Sequence, residues 1–293
     1  MTRFPNWVRI LLPALLALAP LSVRAGDTPR PYALPQTEVY DTQAVSNGQP
    51  YRIYIARPAQ PAPPKGYPVI YALDGNATFA TLAQTVSLQT RPPHGFGPAI
   101  VVGIGYPTDE PFDTDRRYLD LTPPTPAHYL PTKGGKTPSA VGGAGTFLAF
   151  IQNELKPQIE ARFPVDRQRQ ALTGHSLGGR FVLQVLFQQP QAFRYYIASS
   201  PSLWWGNQST LADEKAFPAK LAALAIKPEL RIIVGADEKN HMVEDARAIA
   251  ERLQPLRAQG LRSDFWLMPG ENHISVLPQT LNHSVRFVLD SAP

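Results

Sequence analysis

The sequence predicts an α/β fold with a mostly parallel central sheet, an antiparallel hairpin at its N-terminal side and helices on both faces. Three observations carry this. The segments "TEVYDTQ" and "YRIYIARP" alternate apolar and polar residues around the turn Ser46-Asn47-Gly48, as an antiparallel hairpin does. Further on, apolar runs such as "YPVIYALDG" and "AIVVGIGY" are continuous and end in glycine, which is how strands covered on both faces read. Helical-period segments alternate with those runs to the end of the chain, and such alternation implies parallel strands joined by crossovers.

In order, the hairpin is followed by the strand "YPVIYALDG", the helix "NATFATLAQTVSLQ" and the strand "AIVVGIGY". The helix "GTFLAFIQNELKPQIEARF" places Phe147, Phe150, Ile151, Leu155 and Ile159 near helical spacing. A strand around Gln170 to Thr173 leads into the helix "GGRFVLQVLFQQ". The strands "RYYIASS", "LRIIVGAD" and "SDFWLMPG" come next, with the helix "VEDARAIAERLQPLRAQ" before the last of them and a closing helix from about Pro278 to Leu289. Residues 106 to 145 break the alternation. Rich in proline and glycine, they are expected to form a structureless binding loop or lid.

Composition narrows the function. The chain has 293 residues, 43% of them hydrophobic, enough for the core of one domain. Net charge is +5, but Arg3, Arg9 and Arg24 fall in the first 25 residues, which hold no acid, so the remainder carries only +2. With no basic run or zinc spacing, nucleic acid is not an expected partner. The basic start, the apolar "ILLPALLALAPLSV" and Val23-Arg24-Ala25 read as an export signal over residues 1–25, cleaved before Gly26. The apolar run is shorter than the roughly 20 residues of a membrane span and contains Pro13 and Pro20, so no stable membrane anchor is expected. The absence of cysteine excludes disulfides and lipidation of a cysteine. A periplasmic location and an enzymatic domain over residues 26–293 follow as expectations.

The chemistry is concentrated in "ALTGHSLGGRF". Gly174-His175-Ser176-Leu177-Gly178 fits the G-x-S-x-G elbow, and it falls at a strand-to-helix junction, where the serine oxygen would stand above the sheet edge. This, with the hairpin and the strand order, suits the α/β-hydrolase fold. A serine hydroxyl needs a base, an acid behind the base, and N–H donors for the developing oxyanion. On this fold the acid and the histidine follow the serine in sequence. Of His241, His273 and His283, His273 in "MPGENHISV" lies just beyond the last strand and is the expected base. Asp237 and Glu238, adjacent after "RIIVG", compete for the acid. The backbone N–H groups of Leu177 and Asn76 are expected to form the oxyanion hole.

Together "YALDGNATF", "GIGYPT", "DRRYLDLTPP", "TGHSLGGRFVL", "SPSLWW" and "GENH" resemble the esterase D-type hydrolases, and most closely the periplasmic esterases of trilactone catecholate siderophores such as enterobactin and salmochelin. The resemblance implies a serine esterase with Ser176 as nucleophile, His273 as base, Glu238 at the acid position, and the amides of Asn76 and Leu177 as oxyanion donors. It implies no metal or organic cofactor, iron arriving only inside the substrate. The alternative it leaves open is a general carboxylesterase or thioesterase of the same superfamily. A ferric tricatecholate is a flat-ringed trianion, which guanidinium groups and aromatic faces suit. Arg91, Arg116, Arg117, Arg180, Trp204 and Trp205 are the expected substrate-binding residues.

Overall fold

The computed structural model describes residues 29, 31–93, 95–132 and 135–290, so the expected signal segment, residues 1–25, lies outside the described residues. Residues 34–293 form one unit that holds every element. Its eight strands are β1 Thr37–Gln43, β2 Pro50–Ala56, β3 Tyr67–Leu73, β4 Ile100–Gly105, β5 Val165–His175, β6 Tyr195–Ser199, β7 Glu229–Gly235 and β8 Arg262–Met268. They line up in the order β1-β2-β4-β3-β5-β6-β7-β8. The β1–β2 and β2–β4 pairs are antiparallel; every other pair is parallel. The hairpin thus forms one edge of an otherwise parallel sheet, as the sequence predicts.

Strand β3 shows why its run is apolar throughout: Val69, Tyr71 and Leu73 enter one core while Ile70 and Ala72 enter the other. Helices Gly75–Gln89 and Val276–Leu289 supply Phe79, Leu82, Val285 and Val288 to the second core. Helix Leu177–Gln188, which is buried along almost its whole length, belongs to the first.

The helix expected over 145–163 is interrupted: Ala144–Phe150 and Lys156–Arg162 flank a wider π turn at Ile151–Leu155, and the apolar face continues through all three. Residues 106–145 are not structureless. They contain a helix, Thr114–Asp120, whose N-terminus is capped by the Asp113 side chain accepting from the Arg116 N–H, and a short 3-10 turn at Ala127–Tyr129.

Three neighbouring parallel strands end alike. The residue after β3 is Asp74 at φ 54, after β5 Ser176 at φ 59, and after β6 Ser200 at φ 43. All three sit in the left-handed half of backbone space that side chains disfavour. The tight turn at β5 needs neighbouring glycines for clearance: a Cβ on Gly174 would lie 2.6 Å from the Gly178 carbonyl carbon, and one on Gly179 2.5 Å from the Ser199 oxygen.

Candidate active site

The turn after β5 brings Ser176 out at the C-terminal edge of the sheet, where Leu177 opens the following helix. The backbone of Ser176 is fixed on both sides, its N–H donating to the Ser199 oxygen at 2.9 Å and its carbonyl accepting from Arg180 and Ser202 at 3.0 Å each. Two strands away, β7 ends at Gly235 and the chain turns through Asp237 and Glu238. The loop after β8 carries His273 to the same edge, held there by the Asp237 N–H donating to the Glu271 oxygen. Gly235 permits that approach, since a Cβ there would stand 2.2 Å from the Glu271 oxygen.

These placements produce a continuous chain of contacts. His273 Nε2 lies 3.1 Å from Ser176 Oγ, and His273 Nδ1 lies 2.7 Å from Glu238 Oε2. Glu238, not Asp237, reaches the imidazole; the Asp237 side chain faces solvent. The other carboxylate oxygen, Oε1, accepts from the Ser200 hydroxyl and from the Gly235 N–H. Burial alone would raise the Glu238 carboxyl, but the hydrogen bonds from His273, Ser200 and Gly235 outweigh it and hold the group below the usual carboxylate range. Glu238 is therefore an anion at neutral pH, so Nδ1 carries the proton it accepts and Nε2 is left free to take the proton of Ser176.

Leu177 is the first residue of its helix and Asn76 the second of helix Gly75–Gln89. Their amides are among the first-turn N–H groups that have no acceptor within a helix. Because β3 and β5 are adjacent, the two helix starts sit side by side. The Asn76 side chain fixes its own loop, accepting from the Tyr106 N–H at 2.9 Å and donating to the Tyr106 and Thr108 oxygens. Arg117 ties the two starts together. Its Nε and Nη2 donate to the Asp74 carboxylate at 2.7 and 3.2 Å, and Nη2 reaches the His175 oxygen at 3.4 Å.

The remaining arginines and tryptophans divide. Arg180 is 0% exposed and donates to the Leu121 oxygen, Gln184 and Ser209, so it is a core residue and cannot meet a ligand. Burial pushes its guanidinium down to about 10. Trp205 is likewise fully buried, its indole donating to Thr125 and stacked on Tyr118. Arg116 is spent on Asp120, the Pro50 oxygen and the rings of Tyr51 and Tyr106. Arg91 is exposed but follows the far end of helix Gly75–Gln89, which at 1.5 Å per residue is about 22 Å from the end that carries Asn76. The substrate-binding expectation is thus corrected for Arg116, Arg180, Trp205 and Arg91. Trp204, two residues after Ser202, remains open to solvent at 37% exposure, and the hydrogen bonds of Arg117 run through Nε and Nη2.

Two features were not anticipated. Ser200 and Ser202, in the turn after β6, face Glu238 and Ser176 respectively; the only sequence signal was two hydroxyls in "SPS" closing a strand that neighbours the elbow. His175 also does more than fill space. Its ring centre is 4.6 Å from that of His273, and its Nδ1 meets Ser199 Oγ, which in turn meets Thr280. Burial, reinforced by His273 and Arg117, pushes the His175 imidazole down to about 3. An unfolded chain protonates the same ring near 6.5, so between these values the unfolded state binds more protons and stability rises with pH. The contribution is about 1.4 kcal/mol per pH unit. His175→Gln should therefore flatten the loss of stability between pH 6.5 and 4.5, as read by urea unfolding. Parallel slopes in variant and wild type would overturn this account of His175.

A serine on an elbow, an imidazole and carboxylate behind it and paired helix N-termini in front define a serine hydrolase of the α/β-hydrolase fold. The chain belongs to the esterase family: the family model described as putative esterase matches residues 44–275. Among its relatives, the ferri-bacillibactin esterase BesA of Bacillus subtilis is 42% identical over 272 residues, 90% of this chain and 93% of that protein. The siderophore triacetylfusarinine C esterase of Aspergillus fumigatus is 39% identical, over 73% of each chain. A crystal structure of a BES protein from Bacillus cereus superposes with a TM-score of 0.85 at 40% identity, covering 89% of this chain and 99% of that one. The protein is a carboxylic ester hydrolase. Among the described residues no helix is long and apolar enough to cross a membrane.

Proposed function

We propose that this esterase hydrolyses the ester bonds of a trilactone catecholate siderophore of the enterobactin and salmochelin type, in the periplasm, to release iron. The observation that carries the mechanism is the unbroken contact chain from Glu238 through His273 to Ser176. Ser176 Oγ attacks the ester carbonyl carbon as its proton passes to His273 Nε2, and the negative charge on the carbonyl oxygen is met by the amides of Leu177 and Asn76. The tetrahedral intermediate collapses, the C–O bond of the ester breaks, and Nε2 returns its proton to the departing hydroxyl. Water, giving a proton to His273, then cleaves the acyl-enzyme and restores Ser176. Glu238 holds the imidazole in the required tautomer throughout.

The substrate class is supported by the relatives named for siderophore esters and by the sequence resemblance. On the protein side, the exposed ring of Trp204 suits a flat-ringed ligand. A second reading, a general carboxylesterase, is favoured by one observation: Arg116 and Arg180 are consumed inside the protein, leaving fewer cations than a trianion could use. Hydrolysis of ferric and iron-free tricatecholate trilactones, ferric triacetylfusarinine C and p-nitrophenyl acyl esters, followed by mass spectrometry, separates the readings. A kcat/KM at least about tenfold higher for the tricatecholates is expected; no cleavage of them would shift the assignment to the general esterase. The export reading is tested by N-terminal sequencing of periplasmic material, which should begin at Gly26.

A further inference from the structure

The turn after β6 places a second serine against the nucleophile. Ser202 Oγ lies 3.1 Å from Ser176 Oγ, and Ser202 is 2% exposed. Among the described residues this buried hydroxyl has no other hydrogen-bond partner. Its backbone adds a separate tie, the N–H donating to the Ser176 oxygen at 3.0 Å. A buried hydroxyl whose side chain meets only the reacting atom calls for an account beyond packing.

Proton counting decides the direction of the contact. Glu238 accepts the Nδ1 proton of His273, so Nε2 is an acceptor and the single hydroxyl proton of Ser176 is directed to it. Ser176 Oγ therefore has only lone pairs to offer Ser202. The Ser202 hydroxyl is the donor.

We infer that Ser202 is a catalytic residue that donates a hydrogen bond to Ser176 Oγ and stabilises the negative charge this oxygen carries as its proton moves to or from His273. The inference rests on the proposed Ser176 and His273 mechanism but not on the identity of the substrate. In acylation Oγ gives up its proton while bonding to the carbonyl carbon. In deacylation the acyl carbon–Oγ bond breaks and Oγ leaves, taking its proton back from Nε2. At both moments Oγ is more negative than in the resting hydroxyl or the ester, and a hydrogen bond to a charged acceptor is about twice as strong as one to a neutral acceptor. An interaction stronger in the transition state than in the ground state acts on kcat and leaves KM in place. The contact differs from the oxyanion hole, whose amides face the substrate oxygen and not the nucleophile.

The test uses a p-nitrophenyl ester together with an organophosphate that phosphorylates the nucleophile directly. Ser202→Ala should lower kcat about tenfold, with KM unchanged and organophosphate inactivation slowed by a similar factor. Ser202→Cys, nearly isosteric but with a weak S–H donor, should fall between the alanine variant and wild type. Melting temperatures are measured on both variants, and a structural defect would lower activity in proportion to the fraction unfolded at the assay temperature. Wild-type kcat in folded Ser202→Ala, a rise in KM alone, or a cysteine variant as slow as alanine would each overturn the inference. Ser176→Ala is run beside them: if it stays active, the underlying mechanism has failed; if it is inactive while Ser202→Ala is normal, only the role of Ser202 has.

Discussion

Ser176→Ala is expected to lower kcat for ester hydrolysis by about 10⁵-fold or more, and His273→Ala by a similar factor. The double variant should be no worse than either single one. Their Oγ and Nε2 atoms share one proton at 3.1 Å, so neither residue has a function in catalysis once the other is gone. What survives should be the modest acceleration that the Leu177 and Asn76 amides give by holding an oxyanion for attack by water. The effect should fall on kcat, measured with a p-nitrophenyl ester under saturation, while Tm stays near that of wild type because Ser176 Oγ supports no element of the core. Additive losses in the double variant would mean that the two residues act in separate steps.

Glu238→Gln should cost about 10³- to 10⁴-fold in kcat, nearly as much as loss of the imidazole. The surroundings of Glu238 argue against a serine–histidine dyad with a dispensable acid. The Glu238 side chain is completely buried, and both oxygens are occupied: Oε2 by His273 Nδ1, Oε1 by Ser200 and Gly235. A glutamine fits the same space but presents an NH₂ group to one of these donors. Turned toward His273, that group forces the proton from Nδ1 to Nε2, and the ring can no longer accept from Ser176. Turned toward Ser200 and Gly235, it faces a backbone N–H that cannot turn away. Raising the pH does not correct a wrong tautomer, so the deficit should persist across the pH–rate profile. Recovery of Glu238→Gln to near wild-type kcat at alkaline pH would show that the carboxylate supplies charge alone.

The sheet was legible because its middle strands are covered on both sides and so read as uninterrupted apolar runs. Strand β5 is longer than its sequence suggests, starting at Val165, because "DRQRQ" carries exposed polar residues through its first half. Helix Thr210–Ala222 left no readable stripe; it contains Pro218 and its apolar residues are scattered around its surface. Strand order was enough to bring Ser176, His273 and the Asp237-Glu238 pair to one edge, since each follows a particular strand, but not to choose between the two acids. The arginines could not be placed this way. Whether a guanidinium faces a ligand or a carboxylate depends on partners distant in sequence, such as Asp74, 43 residues before Arg117. Ser200 and Ser202 were invisible for the same reason: a hydroxyl in a turn has no pattern until the turn is placed beside another strand.

The left-handed turns after β3, β5 and β6 bear on how this protein could be altered. Asp74, Ser176 and Ser200 each hold a conformation that costs on the order of 1–3 kcal/mol. Each also places a side chain in the candidate site: Asp74 on Arg117, Ser176 against His273 and Ser200 on Glu238. Glycine at Ser176 would relieve that strain and remove the proposed nucleophile, whereas at Asp74 and Ser200 it would also strip Arg117 and Glu238 of buried partners, so relaxing the backbone there brings no net gain in stability. Thermostable descendants of this enzyme must therefore draw their robustness from elsewhere, and the catalytic rim will remain the part of the molecule that evolution can least afford to relax.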